Sequence, residues 1–589
     1  MLPLYEWKTL TPDTNRATQL AATFGLHHAV ARLITARGWL NDEEIEKLLS
    51  PSLSHIGQPD EFPGTLDAAQ RLWQAIDNNE TIVVYGDYDA DGVSAAAILA
   101  MALKTFGANV ETFIPHRLNE GYGLSPEALD RFDIEHPNAH LVVTVDCGIT
   151  AQDGLLHLRR SGHDVIITDH HVPDPTLDLS AACAIITTHH PDTPPNCRDL
   201  CGAGVAFKLA CTMWKTGKRA KRQVANDWDP KKWLEVVAVA TVADVVPLQG
   251  ENRTMVYHGI KSLEAPKSPG LKKLLDKARS KATTPTSHHL AFILAPRLNA
   301  PGRIDDARIA YELLCTSNET RARELVAQLE KLNLDRRKIE DDCYNAAIDQ
   351  LSTPLTSAAQ SGAIVVGGPD WHLGTVGIVA SRLCDQTGVP AAVADLAANG
   401  AARGSLRACN GYDALAALSQ CSQLLDNFGG HRLAAGFAVK PGCFDQFRHA
   451  FAAACLAQRP DITKRPELEV DAWLTPDELT PALFTSLSRL EPFGEGHRKP
   501  CWGIRGITLH ETPRPVGSDG QHISLRVNCA NTIMRGIWFR SKHLLDHLTS
   551  LQSQHLDIAF ECLLNRYQGS ESLEMQLVDV RPTAASSRA

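Results

Sequence analysis

The sequence predicts an α/β protein built around a parallel β-sheet with helices on both faces. Short apolar runs alternate with helix-length segments from about residue 80, which is the pattern of such a sheet. One long polar, periodic segment then leads to a glycine-rich region that begins with another strand, so we expect a connecting helix and a smaller α/β domain. The last part reads as short strands with turns, which is typical of a small β-barrel.

Bulk composition limits the class of protein. The 589 residues suggest several domains, and 44% hydrophobic and 21% charged residues are ordinary for a globular chain. The net charge of −10 gives no overall sign of a nucleic-acid binder, although a local basic groove can work on an acidic protein. The start, MLPLYEWKTLTPD, lacks the apolar core of a signal peptide, and fifteen scattered cysteines favour free thiols in a cytoplasmic protein.

The predicted elements follow in order. TIVVY, NVETFIP, AHLVVTV and HDVIIT are expected strands, and SAAAILAMALKTF is a helix that ends at Gly107. Thr316 and Glu319 predict a capping box at the start of the long helix. The expected divisions are 1–60 helical lead-in, 61–315 catalytic domain, 316–352 connecting helix, 353–461 second α/β domain, 462–580 β-barrel and 581–589 disordered tail.

Acidic residues follow three of the predicted strands. GDYDADG, with Asp87, Asp89 and Asp91, comes after TIVVY; Asp146 comes after the strand at 141–145. Asp169, His170 and His171 follow the next one. An EF-hand is excluded for GDYDADG because its twelfth position is Ile98 and a strand precedes the loop. Because the carboxyl ends of parallel strands share one edge, we expect these groups to meet there.

A further acid lies in an apolar run. Asp244 falls in WLEVVAVATVADVVPL, a predicted buried helix, where a carboxylate needs a hydrogen-bond partner or a metal. Carboxylates with one imidazole suit Mg²⁺ or Mn²⁺. Two such ions can activate water and stabilise a phosphoryl transition state. The residues therefore predict metal-assisted phosphoester or phosphoanhydride hydrolysis. A second cluster at His189, His190, Cys197 and Cys201 fits no standard zinc spacing.

The motifs resemble those of a known superfamily. GDYDADG, VDCG, TDHH and VATVADVVPL resemble the successive motifs of the DHH phosphoesterases. IPHRLNEGYGL, GAGVAFKL, PRLNAPGR, WHLGTVGIVASRL and LEPFGEGH resemble, within that superfamily, the RecJ family of single-stranded-DNA-specific 5′→3′ exonucleases. The resemblance covers residues 15 to 580 and implies a DHH domain, a DHH-associated (DHHA1) domain and an OB-fold barrel.

The resemblance also implies roles for individual residues. Many superfamily members carry a metal-binding histidine where this chain has Tyr85, which leaves the ligands of one metal open. His171 matches the catalytic second histidine of the motif, and Asp169 would orient it. The metal ligands would be Asp87, Asp89, Asp91, Asp146 as the bridge, His170 and Asp244. The contacts to phosphate and DNA would be Arg117, Arg303, Ser405, Arg407, Gly429, Gly430 and His431.

The implied function is removal of 5′-mononucleotides from single-stranded DNA in recombination and repair. Single-strand-binding protein and a helicase are the implied protein partners, with no membrane association and a monomeric state. Two alternatives stay open at this point: a DHH enzyme acting on small phosphodiesters or pyrophosphate, and a non-catalytic replication scaffold. Each arginine could also be an ordinary surface ion pair.

Overall fold

The structure is a computed structural model that describes residues 3–39, 41–278, 284–351, 359–409, 411–458, 465–517, 520–529, 532–567 and 570–584. The predicted disordered tail lies mostly outside these residues. The chain forms two units: residues 56–462 form the larger one, and residues 1–55 together with 463–589 form the smaller one.

The strands and helices have the following bounds. The strands are β1 Glu6–Thr9, β2 Thr81–Tyr85, β3 Asn109–Phe113, β4 Leu141–Val145, β5 Asp164–Asp169, β6 Ala184–Thr187, β7 Ile364–Gly368, β8 Ala391–Leu396, β9 Ala402–Arg407, β10 Leu425–Gly430, β11 Ala434–Val439, β12 Glu467–Val470, β13 Ala472–Leu474, β14 Trp502–Leu509, β15 Arg514–Val516, β16 His522–Cys529, β17 Thr532–Trp538, β18 Leu556–Tyr567 and β19 Ser570–Pro582. The helices are α1 Thr14–Phe24, α2 His28–Ala36, α3 Asp42–Leu49, α4 Thr65–Asp77, α5 Ala90–Thr105, α6 Pro126–Glu135, α7 Gln152–Arg160, α8 Gly202–Arg219, α9 Leu234–Ala243, α10 Gly250–Ser262, α11 Pro269–Ala278, α12 Ser287–His289, α13 Ala295–Ile304, α14 Arg308–Cys315, α15 Glu319–Asp349, α16 Leu373–Thr387, α17 Ala414–Ser419, α18 Phe444–Gln458, α19 Pro481–Ser488 and α20 Leu545–Ser550.

A parallel sheet of order β3-β2-β4-β5-β6 forms the centre of the first domain. The side chains of β4 are all buried, and so is nearly all of β2 and β5, as expected for strands covered on both faces. Helix α5 is rich in alanine and is buried along most of its length between the sheet and α8. It ends as predicted, with Gly107 in the left-handed region at φ +91°. The sheet therefore presents the carboxyl ends of β2, β4 and β5 at one edge.

The second domain follows the long helix α15. Asn318 caps this helix by accepting hydrogen bonds from the N–H groups of Thr320 and Arg321, so the predicted Thr316–Glu319 capping box is wrong. An asparagine directly before the first turn satisfies the free N–H groups without it. The second sheet has the order β10-β11-β9-β8-β7, and only the β7–β8 pair is parallel. Helix α16 packs on β8 and β9.

The smaller unit contains the predicted barrel. Strands β14, β18, β19, β17 and β16 pair in that order, and pairing of β14 with β16 closes the cylinder. Trp502 and Trp538 are buried in its core, where they fill volume. The lead-in belongs to the same unit, because β1 pairs in parallel with β12. Among the described residues, no helix has the length and apolarity needed to cross a membrane.

Candidate metal and phosphate site

Polar side chains converge at the carboxyl edge of the parallel sheet. The nitrogen His170 Nε2 lies 3.1 Å from Asp146 Oδ1, 3.6 Å from Asp244 Oδ2 and 3.9 Å from Asp91 Oδ2. Asp244 is the residue directly after α9, so it ends the helix and does not interrupt it. The acids that the sequence places after separate strands, and the one after α9, therefore share one cluster.

The cluster contains three overlapping groups that could hold a metal ion. In each group, one ligand atom per residue lies within 4.8 Å of the others. Asp146 and His170 each belong to two of the groups. The groups are Asp87, Asp89 and Asp146; Asp91, His170 and Asp244; and Asp146, His170 and His171.

The start of α5 positions two of the acids. Asp89 is the N-cap of this helix, and its Oδ1 accepts hydrogen bonds from the N–H groups of Asp91 and Gly92 at 2.9 and 3.0 Å. Asp91 in turn accepts from the N–H groups of Gly202 and Ala203, at 2.6 and 2.8 Å. These two residues open α8, where the helix dipole stabilises a negative charge. Two helix N-termini thus meet the cluster.

Asp146 occupies a strained and closely packed position. Its φ is +61°, a conformation that costs a residue other than glycine about 1–3 kcal/mol and is common at functional sites. A Cβ added to Gly202 would lie 2.5 Å from Asp146 Cβ and 2.6 Å from its Oδ1. Only glycine fits at position 202, and sequence reasoning missed this residue although GAGVAFKL contains it.

The electrostatics of the cluster fit a bound cation. Burial, and then the neighbouring carboxylates, raise the pKa of Asp87 and Asp146 well above the usual range and raise the pKa of Asp244 to about 9. Within the part of the chain that the structure describes, one buried oxygen of each of these three side chains accepts no hydrogen bond. Such oxygens are costly to bury unless something neutralises them. Carboxylate oxygens together with one imidazole nitrogen suit Mn²⁺ or Mg²⁺. The residues therefore fit the predicted cofactors.

Asp169 orients the two histidines. It is 1% exposed, and its Oδ1 lies 2.8 Å from His171 Nδ1 and accepts the N–H of His170 at 2.7 Å. Burial opposes the charge on both partners, yet their hydrogen bond lowers the pKa of Asp169 and raises that of His171. Burial lowers the pKa of His170 to about 4. His170 is therefore neutral, as a metal ligand must be, whereas His171 holds a proton more readily.

Tyr122 is a site residue that sequence reasoning missed. Its hydroxyl donates to the backbone oxygen of Asp146 at 3.0 Å and lies 3.1 Å from His171 Nδ1. Its ring meets the His171 ring edge-on, with 5.6 Å between centroids. Gly121 and Gly123, which flank it, have φ of +79° and +65°. A tyrosine between two glycines within IPHRLNEGYGL was the available signal.

Tyr85 has a structural role in place of the family's histidine. It is fully buried, and its hydroxyl donates to the backbone oxygen of Gly123 at 2.8 Å. Its ring packs against Phe113 and Phe132. Tyr85 therefore supports the loop that carries Tyr122, and its polar atom is already occupied.

A cleft of about 330 Å³ separates the first domain from the second sheet. Several of its residues were predicted to bind phosphate or DNA, namely Arg117, Ser405 and Gly429. Arg403, Asn427 and Gly436 also line it, and sequence reasoning missed them. The lining residues are Tyr88, Arg117, Leu118, Gly121 and Tyr122 from the first domain and Leu373, Val376, Arg403, Gly404, Ser405, Asn427, Gly429, Gly436 and Phe437 from the second.

Arg117 and Arg403 line the cleft, whereas the predicted phosphate ligands Arg303 and Arg407 are not among its lining residues. None of the four has an acidic partner among the described residues. Within the described ranges, no carboxylate lies within 4.0 Å of the side-chain nitrogens of Arg117, Arg303, Arg403 or Arg407, so the ion-pair alternative is wrong for them. Burial, and then the nearby Arg117, lower the pKa of Arg303 to about 10 and also that of Arg407. Converging guanidinium groups without counter-ions suit a phosphate, which arginine binds through two parallel hydrogen bonds.

Arg303 also joins the two domains. Its Nη1 donates to the backbone oxygen of Gly374 at 3.2 Å, and a Cβ on Gly374 would lie 2.0 Å from the backbone oxygen of Arg303. The end of α13 therefore touches the start of α16.

Gly430 and His431 were also predicted to bind phosphate or DNA and do not line the cleft. Gly430 is the last residue of β10, and His431 begins the turn to β11. Gly430 has φ +139°, and a Cβ there would lie 2.5 Å from the backbone oxygen of Ala434, so the turn itself explains this glycine. His431 is exposed. The two cysteines near His189 and His190 form hydrogen-bond contacts with other side chains. Cys197 Sγ donates to Glu251, and Cys201 Sγ lies next to the hydroxyl of Thr241.

Three domain families match the chain. The DHH family N-terminal domain matches residues 81–241, the DHHA1 domain matches 359–457 and the RecJ OB domain matches 470–579. The DHH match contains every residue of the acidic cluster except Asp244, which lies three residues after its end. The DHHA1 match contains the cleft residues of the second domain. The third match falls on the barrel, which confirms the predicted fold class.

Named relatives match nearly the whole chain. The single-stranded-DNA-specific exonuclease RecJ of Thermus thermophilus is 34% identical over 98% of this chain and 79% of its own length. The Bacillus subtilis protein of the same name is 31% identical over 97% of this chain and 70% of its own length. The crystal structure of Thermus thermophilus RecJ in complex with Mn²⁺ matches with a TM-score of 0.81 and 29% identity, over 99% of this chain and 81% of its own. The structure of the same protein in complex with Mg²⁺ matches with a TM-score of 0.75 and 28% identity, over 99% of this chain and 80% of its own. The chain therefore belongs to the RecJ family.

Proposed function

We propose that this chain is a metal-dependent exonuclease that removes 5′-mononucleotides from single-stranded DNA. One observation carries the proposal: Tyr122 lines the arginine cleft and also contacts Asp146 and His171 of the acidic cluster. A phosphate-binding cleft and a metal cluster that share one side chain suit a strand whose 5′ end is held one nucleotide from the bond that is cut.

The family supports the reaction class. Relatives that match nearly the whole chain are named single-stranded-DNA-specific exonucleases, and the DHH domain marks a phosphoesterase. The chain is accordingly a hydrolase that acts on DNA with Mn²⁺ or Mg²⁺. The small-substrate and scaffold alternatives gain no support from relatives that match along the whole chain. The 5′→3′ direction is part of this proposal because the family resemblance implies it.

The metal would be held by the acidic cluster. Its proposed ligands are Asp87, Asp89, Asp91, Asp146, His170 and Asp244. When bound there, two divalent ions supply Lewis-acid activation of a water and charge neutralisation of the scissile phosphate.

The chain's own residues do the rest. Arg117, Arg303, Ser405 and Arg407 would bind the 5′-phosphate and so set the position of the first internucleotide phosphate. The oxygen of water bonds to that phosphorus, and the bond from phosphorus to the 3′-oxygen of the terminal nucleotide breaks. His171, whose pKa the hydrogen bond to Asp169 raises against the effect of burial, would donate a proton to the leaving 3′-oxygen, and the proton that the attacking water loses would restore it. The shortened strand keeps a 5′-phosphate and can occupy the same cleft again.

We propose further that the barrel binds the single strand and that the chain acts as a cytoplasmic monomer. Fifteen cysteines without a disulfide support a reducing compartment. Single-strand-binding protein and a helicase are proposed partners because the family resemblance implies them, and pull-down with each purified partner tests this.

Asp146→Asn tests the metal role. The variant keeps the shape of the side chain but removes the charge of the bridging ligand, so we expect hydrolysis to fall at least about 10³-fold with an unchanged unfolding temperature. Turnover near the wild-type value in this variant would refute the assignment.

A further inference from the structure

Two cysteines of the second domain lie close to Arg407, one of the predicted phosphate ligands. Cys384 is on the last turn of α16, and Cys409 follows the last residue of β9 by two positions. The thiols of Cys384 and Cys409 are in hydrogen-bond contact with each other. Neither cysteine has a part in the metal cluster or in the cleft described above, so the pair needs an explanation of its own.

The packing of α16 on β9 explains why the two cysteines meet. Gly377 and Cys384 are seven residues apart on α16 and therefore share one face of the helix. A Cβ added to Gly377 would lie 3.2 Å from Arg407 Nη2 and 3.4 Å from Ser405 Cβ, so this face packs on β9. Ser405 and Arg407 lie on one face of β9, because alternate residues of a strand do so. The contact with Cys384 shows that Cys409 continues this row beyond the end of the strand.

The two thiols differ in exposure and in their surroundings. Cys384 is 3% exposed, whereas Cys409 is partly exposed. Cys409 Sγ also donates to the backbone oxygen of Gly388, the residue that caps the end of α16, at 3.0 Å. The hydrogen bond with Cys409, and then burial, raise the pKa of Cys384, while the charge of Arg407 opposes this. An accessible thiol next to a buried, protonated partner is typical of cysteine pairs that react with oxidants.

We propose that Cys384 and Cys409 form a reversible disulfide in the presence of hydrogen peroxide, and that this bond weakens the binding of the 5′-phosphate. The sulfur of Cys409 first attacks one oxygen of the peroxide, which gives a sulfenic acid and one water. The sulfur of Cys384 then attacks the sulfur of Cys409, and the S–O bond breaks to release a second water. In total, two S–H bonds are replaced by one S–S bond, and two electrons and two protons pass to the peroxide.

The disulfide acts on phosphate binding through the position of Arg407. A disulfide holds its two sulfurs about 2 Å apart, which is closer than any hydrogen-bond contact, so the end of α16 and the chain after β9 must approach each other. Arg407 lies two residues before Cys409, and its guanidinium lies against α16 at Gly377. Movement of either element therefore shifts this guanidinium. The effect on phosphate binding rests on the proposed exonuclease function, whereas formation of the disulfide does not.

The test compares the whole chain before treatment with hydrogen peroxide, after treatment and removal of the peroxide, and after subsequent reduction with dithiothreitol. Peptide mapping by mass spectrometry identifies the linked cysteines, and KM for a 5′-phosphorylated single strand is measured with Mn²⁺ in each state. Cys409→Ser removes the attacking thiol, and Cys384→Ala removes the thiol that resolves the sulfenic acid. Cys183→Ser is the matched control, because Cys183 is exposed and lies in the first domain.

We expect peroxide to link Cys384 to Cys409 and to raise KM about ten-fold in the wild type and in Cys183→Ser, with recovery in dithiothreitol. Cys409→Ser should keep its KM, and Cys384→Ala should carry a sulfenic acid on Cys409 that dimedone traps.

The mapped link and the kinetics decide separate points. No link in the wild type, or a link from Cys409 to another cysteine, would overturn the proposed disulfide. A Cys384–Cys409 link that leaves KM unchanged would overturn its effect on phosphate binding. Reduced wild-type protein that cuts no strand would instead overturn the proposed exonuclease function, and the peptide map would still decide whether the disulfide forms.

Discussion

Replacing Gly202 by alanine tests how the N-terminus of α8 supports the metal cluster. The new Cβ would lie 2.5 Å from Asp146 Cβ and 2.6 Å from Asp146 Oδ1. Ordinary contact begins at 3.4 Å, so Asp146 or the helix must move by about 0.9 Å, the difference between 3.4 and 2.5 Å. The N–H of Gly202 also donates to Asp91, so movement of the helix disturbs a second acid.

The size of the effect follows from that displacement. A shift of about 1 Å in a positioned catalytic group costs about 10²-fold in rate. Overpacking costs about 1–3 kcal/mol, which the better helix propensity of alanine offsets by up to about 1 kcal/mol. We therefore expect Gly202→Ala to lose about 10²-fold in Mn²⁺-dependent kcat and to be destabilised by no more than about 3 kcal/mol.

The assay is release of mononucleotides from a labelled single strand across a Mn²⁺ titration, with denaturant unfolding in parallel. Gly204→Ala is the matched control, because it lies on the same helix and its added Cβ would be 3.3 Å from the flexible side chain of Leu200. It should keep wild-type turnover. Wild-type kcat and Mn²⁺ dependence in Gly202→Ala would refute the reasoning.

Three further predictions concern the acidic cluster, the loop that carries Arg117 and a buried ion pair of the smaller unit. Because burial raises the pKa of Asp244 to about 9, the stability of the metal-free protein should fall as pH rises from about 4 towards 9. The rise in unfolding temperature that Mn²⁺ causes should grow over the same pH range. A rise that stays constant with pH would contradict this prediction. Glu120 binds Arg131 at 2.6 Å and supports the loop that carries Arg117. Glu120→Gln should therefore raise KM for a 5′-phosphorylated strand about five-fold in steady-state assays. An unchanged KM would count against this role of Glu120. Asp471 is fully buried and paired with two arginines, so Asp471→Asn should lower the free energy of unfolding by about 2–4 kcal/mol in denaturant titrations, whereas a loss below 1 kcal/mol would argue against the pairing.

Local pattern was enough to predict that the acidic side chains meet at one edge of the sheet. Asp87, Asp146 and Asp169 each follow a short apolar strand, and a parallel sheet brings such strand ends together whatever lies between them in the chain. The reasoning needed only strand periodicity and one topological rule. The same holds for the barrel, whose short strands and turns are visible in the sequence.

Contacts that depend on side-chain direction across domains could not be read from the sequence. Gly430 and His431 follow Gly429 directly, yet neither of them lines the cleft. Arg403 lies two residues before Ser405 and shares its face, but that becomes informative only when β9 is known to border the first domain. Tyr85 likewise gains its role from Gly123, a partner in a distant loop.

The lead-in shows a different limit. Its strand β1 is parallel to β12, with Glu6 opposite Glu467, and Arg37 on the same segment pairs with Asp471. No local pattern connects segments so far apart, because parallel pairing leaves no turn to mark it. The predicted lead-in and barrel therefore form one unit that sequence analysis divided into two.

The most direct test of the central claim is hydrolysis of a 5′-phosphorylated, 3′-labelled single-stranded oligonucleotide in Mn²⁺, in Mg²⁺ and in chelator, beside the same oligonucleotide as a blunt duplex. We predict metal-dependent release of 5′-mononucleotides from the single strand, progressive shortening from the 5′ end, and little cleavage of the duplex. Turnover of pyrophosphate or dinucleotides without cleavage of the long strand would contradict the account. Such a result would be consistent with the proposed metal site but would show that single-stranded DNA is not the substrate.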